Sequence, residues 1–177
     1  MAKILAFAGS NSSISINYEF VKYTTNMVKG HTVNLINMAN LPFPMYSADY
    51  EVENGYSNSL IELKNDINNA DGIILSVNEH NSNPSAYFKN LLDWLSRLER
   101  KFLADTKILL MATSPGKGGA KHALGIVEMM LPRFGGEIVE SFSLPSFSEN
   151  FEKKNGILNA ELEAAHQKAL QNFILSL

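Results

Sequence analysis

The chain has 177 residues, a formal net charge of −3 at pH 7 and an isoelectric point of about 5.8. The absence of cysteine excludes disulfides, thiolate catalysis and cysteine-ligated metals, and the acidic balance argues against a nucleic-acid-binding surface. A hydrophobic fraction of 45% can supply a complete core, so we expect a single domain over residues 1–177. The apolar run near the N-terminus is too short for a signal peptide or a membrane span, which makes a cytoplasmic protein with no membrane contact the expectation.

The first predicted strand, Ile4 to Ala8, ends at Gly9 in a short polar loop that leads into a helix. Serine and asparagine side chains fill this loop, and the unpaired N–H groups of the first helical turn favour an anion there. The same residues are also ordinary turn and capping residues, so a phosphate site and a plain loop are both open at this point. Neither the three-glycine dinucleotide fingerprint nor the P-loop spacing is present, which favours a mononucleotide site lined by hydroxyl groups.

Hydrophobic periodicity along the rest of the chain predicts strands that alternate with helices. The last helix is expected to turn Leu162, Ala165, Ala169, Phe173 and Ile174 inward, and Asn37 to Ser57 is predicted to be a long loop. Continuous apolar strands in such an alternation predict an α/β fold with a five-stranded parallel sheet covered on both faces. The five predicted strands are Ile4–Ala8, Thr32–Ile36, Gly72–Val77, Lys107–Thr113 and Glu137–Phe142.

Polar or glycine-rich loops follow the first, third and fourth predicted strands. Ligands of open α/β sheets bind beyond the carboxyl ends of the strands, at the switch point of the strand order. A strand order of 2-1-3-4-5 would bring these three loops to one edge of the sheet, so we predict that order. The second loop is Asn78–Ser85, which taken alone reads as a solvated turn, and the third is Ser114–Gly119, whose glycines let the backbone approach a ligand closely.

The sequence gives little indication of metal binding or of nucleophilic catalysis. His80 has no second histidine and no paired carboxylates at ligand spacing, so no metal site is predicted. No nucleophile-elbow pattern is present either, which argues against a loop serine activated by His80. No side chain is therefore assigned as a catalytic acid, base or nucleophile.

Taken together, the three loops resemble those of the NADPH-dependent FMN reductase family, which includes flavin, quinone, azo and chromate reductases. The first family loop reads Gly-Ser-x-Arg-x-x-Ser-x-Asn, the second Pro-Glu-Tyr-Asn-Gly-Ser before a helix with Lys-Asn-x-x-Asp-Trp, and the third Ser-Pro-Gly-x-x-Gly-Gly. The Leu-Pro pair after the second family strand is also present here, as Leu41-Pro42. The resemblance extends from Lys3 to about Phe142. The matching loop and helix residues are Gly9, Ser10, Ser15, Asn17, Glu79, Asn81, Lys89, Asn90, Asp93, Trp94, Ser114, Pro115, Gly116, Gly118 and Gly119.

The resemblance implies a flavodoxin-like three-layer sandwich that binds FMN. It places the FMN phosphate in the first loop and the isoalloxazine ring between the second and third loops. The expected activity is a ping-pong hydride transfer from NADPH or NADH through FMN to a flavin, a quinone or a similar small acceptor, in which the flavin carries the chemistry. The implied cofactor-binding residues are Ser10, Ser12, Ser15, Ile16, Asn17, Asn78, Glu79, His80, Asn81, Ser82, Ser114, Pro115, Gly116, Gly118 and Gly119.

The resemblance also implies a homodimer, or a tetramer made of two such dimers, with the third helix near the subunit contact. Tyr87, Asn90 and Trp94 lie off the inward face of that helix, where they could contact a partner or cover their own chain. The sequence alone does not decide between these two interpretations.

This chain departs from the family pattern at several loop positions. Ser12 stands where the family has arginine, which removes a cation beside the phosphate and leaves the choice between NADPH and NADH open. Asn78 replaces proline, His80 replaces tyrosine and Ser82 replaces glycine in the second loop. Two other functions stay open. One is a flavodoxin-type electron carrier without nicotinamide turnover, although such carriers tend to be strongly acidic and the net charge here is only −3. The other is a flavin-free phosphate-binding module.

Overall fold

The computed structural model describes residues 1–177, and its central feature is a parallel sheet of five strands. Two short antiparallel hairpins lie outside that sheet. The sheet strands are β1 (Lys3–Ala8), β2 (Thr32–Ile36), β3 (Gly72–Val77), β6 (Lys107–Thr113) and β7 (Glu137–Leu144), and the hairpin strands are β4 (Glu79–His80), β5 (Asn83–Pro84), β8 (Phe151–Glu152) and β9 (Gly156–Ile157).

Seven α-helices connect or flank the strands. Serine or asparagine begins most of them: the side chains of Ser15, Ser57 and Ser85 accept hydrogen bonds from N–H groups in the first turns of the helices that follow them. Such caps satisfy donors that a helix start leaves unpaired. The helices are α1 (Ile16–Asn26), α2 (Ala48–Asn54), α3 (Asn58–Asn68), α4 (Ala86–Leu98), α5 (Lys121–Met130), α6 (Phe147–Asn150) and α7 (Ala160–Ser176).

The sheet has the strand order β2-β1-β3-β6-β7, and every neighbouring pair is parallel. Counting only the sheet strands, this is the predicted order 2-1-3-4-5, so the prediction of a flavodoxin-like architecture is confirmed. The loops after β1, β3 and β6 leave three adjacent strands at their carboxyl ends. They therefore lie side by side along one edge of the sheet.

Helices cover both faces of the sheet and form two separate cores. Helices α1 and α7 pack against one face around Phe20 and Phe173, and α3, α4 and α5 pack against the other around Phe88 and Leu91. Alternate residues of each central strand point to opposite cores, as Leu5 and Ile4 do. This arrangement explains why β3 and β6 are apolar along their length, since both of their faces are buried.

Several predictions for individual segments were wrong. The stretch from Asn37 to Ser57 is not a plain loop, because it contains a short 3₁₀ turn and the helix α2. The last helix buries Ala169 and Phe173 as predicted, but its inward face carries His166, which is completely buried, and leaves Ala165 exposed. None of the helices combines the length and the apolar character that crossing a membrane requires.

Candidate functional site

The side chain of Asn17, at the start of α1, joins two of the strand ends beneath the candidate site. Its Oδ1 accepts hydrogen bonds from the Ser76 hydroxyl at 2.7 Å and from the Thr113 backbone N–H at 3.1 Å, and its Nδ2 donates to the Thr113 carbonyl oxygen at 3.1 Å. Asn17 is almost fully buried, at 2% exposure. It therefore connects the start of α1 to the ends of β3 and β6 through three hydrogen bonds of its side-chain amide.

The first loop is held in shape by its own serines. Ser10 Oγ accepts from the Ser12 N–H at 3.3 Å, Ser12 Oγ accepts from the Ile14 N–H at 3.3 Å, and Ser15 Oγ accepts from the Tyr18 N–H at 3.2 Å. Each hydroxyl acts here as an acceptor, so each keeps its own O–H for another partner. The three serines thus present donors that the fold does not consume.

Backbone donors in and after the first loop are also unpaired. The N–H groups of Asn11, Ser13, Ile16 and Asn17 have no acceptor within the protein. Residues 11–14 are exposed, so the N–H groups of Asn11 and Ser13 are open to a ligand, while those of Ile16 and Asn17 belong to the first turn of α1. No arginine or lysine lies in the loop, which means that an anion bound here would be held by neutral donors and by the dipole of α1.

The second loop is a tight hairpin that is tied to the first loop at its base. Ser85 Oγ donates to the Gly9 carbonyl oxygen at 3.0 Å, and the Gly9 N–H donates to the Ser76 carbonyl oxygen at 2.9 Å. A Cβ at position 9 would lie 2.5 Å from the Phe88 ring, which explains the glycine as a close-packing requirement. The hairpin therefore stands beside the first loop at a fixed separation.

At its tip, the hairpin turns through Asn81 and Ser82, which both have positive φ values, 52° and 60°. Two successive left-handed residues define the turn that favours Asn-Gly, and here the second position is serine. A side chain in this region costs about 1 kcal/mol or more relative to glycine. The exposed hairpin tip consequently carries backbone strain.

We expect the Ser82→Gly variant to be more stable than the wild type. Removing the side chain relieves the left-handed strain, and the gain is partly offset by the greater freedom of glycine in the unfolded chain, leaving about 0.5 to 1 kcal/mol. Urea unfolding at neutral pH would show a higher midpoint with an unchanged slope. The matched control is Ser82→Ala, which keeps a Cβ; equal midpoints for the two variants would contradict the strain argument.

Glu79 connects the second loop to the helix that follows the third loop. Its Oε2 accepts the Ala123 N–H at 3.0 Å and lies 3.9 Å from Nδ1 of His122. The residue before α5, Ala120, has a left-handed backbone (φ 61°) and offers no side-chain cap. The carboxylate of Glu79 therefore caps α5 from another element. It holds the hairpin against α5 and is less available to a ligand.

The three glycines of the third loop have different roles. Gly119 has a φ of +59°, and a Cβ there would lie 2.4 Å from Ser143 Oγ, so the fold itself requires glycine. A Cβ at Gly118 would meet nothing within 4 Å, and one at Gly116 would meet only the Ser114 hydroxyl at 4.0 Å. Glycine at these two positions leaves an open surface that the fold does not need.

The backbone of the third loop is anchored through two carbonyl oxygens, while several of its N–H groups are free. The Gly116 carbonyl oxygen accepts from the N–H groups of Ser146 and Gly119, and the Ser114 carbonyl oxygen accepts from Phe147. In contrast, the N–H groups of Gly116, Lys117 and Gly118 have no acceptor, and residues 115–118 are exposed. The loop thus presents a row of backbone donors from a fixed position.

The stripe of Tyr87, Asn90 and Trp94 on α4 contacts other residues of the same chain. Asn90 Nδ2 and Trp94 Nε1 both donate to the Pro44 carbonyl oxygen, at 2.9 Å and 2.8 Å, and Tyr87 donates to the Leu41 carbonyl oxygen at 2.8 Å. Trp94 is 2% exposed. Of the two interpretations of this stripe, the structure selects the one in which it covers its own chain, since residues 38–46 lie on it.

An ionic cluster fastens the next part of this segment to α4. The Glu51 carboxylate accepts from Arg97 Nε at 2.9 Å and from the Tyr56 hydroxyl at 2.7 Å, and the Tyr46 hydroxyl adds a third donor at 3.0 Å. These donors stabilise the ionised carboxylate, with Arg97 contributing most, and they lower the pKa of Glu51 to about 2. Helix α2 is therefore held by a charge that persists at acidic pH.

Sequence reasoning missed three buried hydroxyl residues that organise the site: Ser76, Ser85 and Thr113. Ser76 interrupts the otherwise apolar run of β3 and is fully buried. A hydroxyl inside a buried strand needs a hydrogen-bond partner, and this rule alone could have marked the residue. Thr113 and Ser85 gave no such signal, because the ends of strands and the starts of helices are common places for both residue types.

The fold, with three ligand-accessible loops at the switch point of its sheet, defines a flavodoxin-like protein. The model of the NADPH-dependent FMN reductase family matches residues 2–168 of the chain. The chain belongs to that family.

Curated relatives and solved structures agree with this assignment. The quinone reductase of Escherichia coli K12 is 29% identical over 116 residues, which cover 60% of this chain and 62% of that protein. The chain therefore spans less than two thirds of the length of that relative. The subunit CrdA of a NADH:(hydroxy)cinnamate reductase from Vibrio ruber is 23% identical over 97% of this chain and 85% of its own length.

Solved structures extend the likeness in fold to the whole chain. The flavoenzyme NAD(P)H:(acceptor) oxidoreductase FerB from Paracoccus denitrificans superposes with a TM-score of 0.79 at 19% identity, covering 98% of this chain and 96% of that one. The apo form of an NADH:FMN oxidoreductase superposes with a TM-score of 0.77 at 22% identity, covering 100% and 90% of the two chains.

Proposed function

We propose that this protein is an FMN-dependent NAD(P)H oxidoreductase that passes electrons to a quinone, a flavin or a similar small acceptor. The observation that carries the proposal is that three loops lie side by side at one sheet edge, where Asn17 joins the start of α1 to the ends of β3 and β6, with free donors on the first loop and an open glycine surface on the third. The family membership and the quinone reductase relative support the same function.

The first loop fits the phosphate group of FMN. Ser10, Ser12 and Ser15 have hydroxyl protons to spare, and the N–H groups of Ile16 and Asn17 point out of the first turn of α1. We assign the contribution of Asn17 to its backbone, because its side chain is committed to Ser76 and Thr113. Neutral donors with a helix dipole suffice to bind a phosphate.

The hairpin and the third loop fit the edges of a flat ring system. We propose that the hairpin residues Asn78–Ser82 line one side and that Ser114–Gly119 line the other, with the free N–H groups of Gly116 and Gly118 facing the ring. FMN, when bound, supplies the hydride and electron transfer. The protein residues hold and orient the ring, and the backbone donors favour negative charge beside it. No side-chain nucleophile is needed for this role.

The decisive experiment is the visible spectrum of the purified protein after loading with FMN, before and after anaerobic addition of NADPH or NADH. We expect a bound flavin spectrum that bleaches with the nicotinamide and returns when a quinone is added. Colour without bleaching would instead support the electron carrier. A colourless protein whose thermal stability is unchanged by FMN would support the flavin-free module, since a ligand of the native state must raise stability.

Two glycine variants distinguish an effect on FMN binding from an effect on the stability of the fold. We expect Gly118→Ala to leave stability unchanged and to weaken FMN binding about tenfold, equivalent to about 1.4 kcal/mol, because the methyl group would occupy the proposed ring surface. Gly119→Ala is the matched control: its Cβ collides with Ser143 in the protein itself, so it should lower stability. Unchanged FMN affinity in Gly118→Ala would contradict the proposed ring position.

We further propose that the protein is a cytoplasmic homodimer, as the resemblance to the family implies. Residues 38–46 bury Asn90 and Trp94 and half-bury Tyr87, so this stripe offers little surface to a partner. Exposed apolar side chains remain on that segment, on α2 and on α5, namely Met45, Val52 and Met129. Analytical ultracentrifugation would distinguish a monomer, a dimer and a tetramer.

A further inference from the structure

Two of the residues at which the second loop departs from its family contact one another. Asn78 Nδ2 lies 3.4 Å from Nε2 of His80, and these residues stand where the family has proline and tyrosine. The departure puts an exposed imidazole in place of a phenol, in a loop whose other ionisable residue is Glu79. That carboxylate already caps α5 through the Ala123 N–H.

His80 also lines a groove that opens from the hairpin along the side of the molecule. The groove has a volume of about 570 Å³ and runs between the hairpin and the helices α4 and α5. Apolar side chains from Pro84, Ala86, Ile126 and Met130 line it, together with His80, Asn81, Asn83 and Lys89. Such a mixture of apolar surface with a few polar groups suits a small, flat organic acceptor.

The Asn78 amide can serve both protonation states of the imidazole. In the structure its Nδ2 faces Nε2 of His80, which then acts as the acceptor of a neutral ring, while Oδ1 is buried and has no partner. A half-turn of the amide would present Oδ1 to a protonated Nε2–H and would satisfy that orphaned oxygen. Nδ1 of His80 has no protein partner in either arrangement.

The charged groups around His80 are mostly committed elsewhere. Lys89 of α4 lines the same groove but is paired with Asp93 at 2.6 Å, and Glu79 is bound to the start of α5 beside His122. His80 is therefore the titratable group of the second loop that is free to exchange a proton with a molecule in the groove.

We propose that His80 is the proton donor for two-electron acceptors of the quinone class, which bind in this groove. The inference rests on the proposed reductase function. Reduction of a quinone to a quinol adds two electrons and two protons; NAD(P)H supplies a hydride, and one further proton is required. Imidazolium Nδ1–H gives that proton to a carbonyl oxygen, whose C=O double bond becomes C–OH, and the neutral ring is reprotonated from solvent.

The test compares an acceptor that requires protons with one that does not. With 1,4-benzoquinone, we expect His80→Gln to lower the rate of reoxidation about a hundredfold relative to its rate with ferricyanide, which takes electrons only. The pH dependence of the benzoquinone rate should fall with rising pH in the wild type and flatten in the variant. His122→Gln, which alters the other exposed histidine near Glu79, should retain the wild-type ratio and profile.

A binding measurement without turnover completes the test. Hydroquinone added to the oxidised protein should shift the imidazole NMR signals of His80 and leave those of His122 unchanged. The proposal for His80 would be overturned if His80→Gln kept the wild-type ratio of benzoquinone to ferricyanide rates, or if hydroquinone did not shift the His80 signals. In either case, bleaching by NAD(P)H would still support the reductase function. Absence of bleaching would overturn both.

Discussion

The Asn17→Ala variant is expected to lose about 3 kcal/mol of folding free energy, because it leaves several buried polar groups without partners. The backbone N–H and carbonyl of Thr113 and the hydroxyl of Ser76 all bond to the Asn17 amide in the wild type. The variant also separates the elements that carry the first and third loops, so FMN affinity should fall with stability. Urea unfolding monitored by circular dichroism measures the first effect, and titration with FMN measures the second.

Asn11→Ala is the control for this experiment. Asn11 is exposed in the same loop and its side chain makes no hydrogen bond within the protein, so its removal should change stability by less than about 0.5 kcal/mol. Asn17→Asp adds a finer comparison, since it keeps both acceptor contacts but places a carboxylate oxygen against the Thr113 carbonyl. If Asn17→Ala were as stable as Asn11→Ala, the amide would not connect the loops.

The second large effect concerns His166 and acidic pH. The ring is fully buried among Phe20, Tyr23 and Phe142, and burial lowers the pKa of His166 to about 4. Thr24 Oγ1 donates to the Phe20 carbonyl oxygen at 3.0 Å, so its 2.9 Å contact with Nε2 makes His166 the donor. The neutral ring with a proton on Nε2 is therefore the native state.

Because the folded pKa lies below the unfolded value of about 6.5, the unfolded chain takes up a proton first as the pH falls. We expect the stability contributed by neutral His166 to be complete above pH 6.5 and to be lost progressively toward pH 4. The total loss is about 3 kcal/mol, from a pKa difference of between two and three units. Urea midpoints measured at intervals from pH 7.5 to pH 4 would record it.

His166→Leu, with a similar volume and no titratable group, isolates this effect. The difference in unfolding free energy between this variant and the wild type should change by about 3 kcal/mol across the window, in favour of the variant at low pH. His122→Gln removes an exposed histidine and should leave the wild-type slope intact. Parallel pH curves for wild type and His166→Leu would show that the buried ring does not control acid stability.

The sequence by itself determined the five sheet strands and their parallel arrangement, most of the helices between them and the three loops, but it did not indicate α2 or the two short hairpins. The features that it determined follow from local patterns: apolar runs at the length of a strand, helical spacing of apolar residues, and glycine or serine at the turns. The family resemblance rested on the same loops, because motifs of that kind are contiguous in the chain.

Only the tertiary structure decided which polar groups the fold itself uses. The side-chain amide of Asn17 is a buried connector, which the sequence did not indicate, because its partners Ser76 and Thr113 are 59 and 96 residues away. Likewise, Glu79 caps a helix 44 residues later, and Trp94 is covered by Pro44 and its neighbours. Hydrogen bonds between distant residues leave no periodic signal, whereas the local patterns that build strands and helices do.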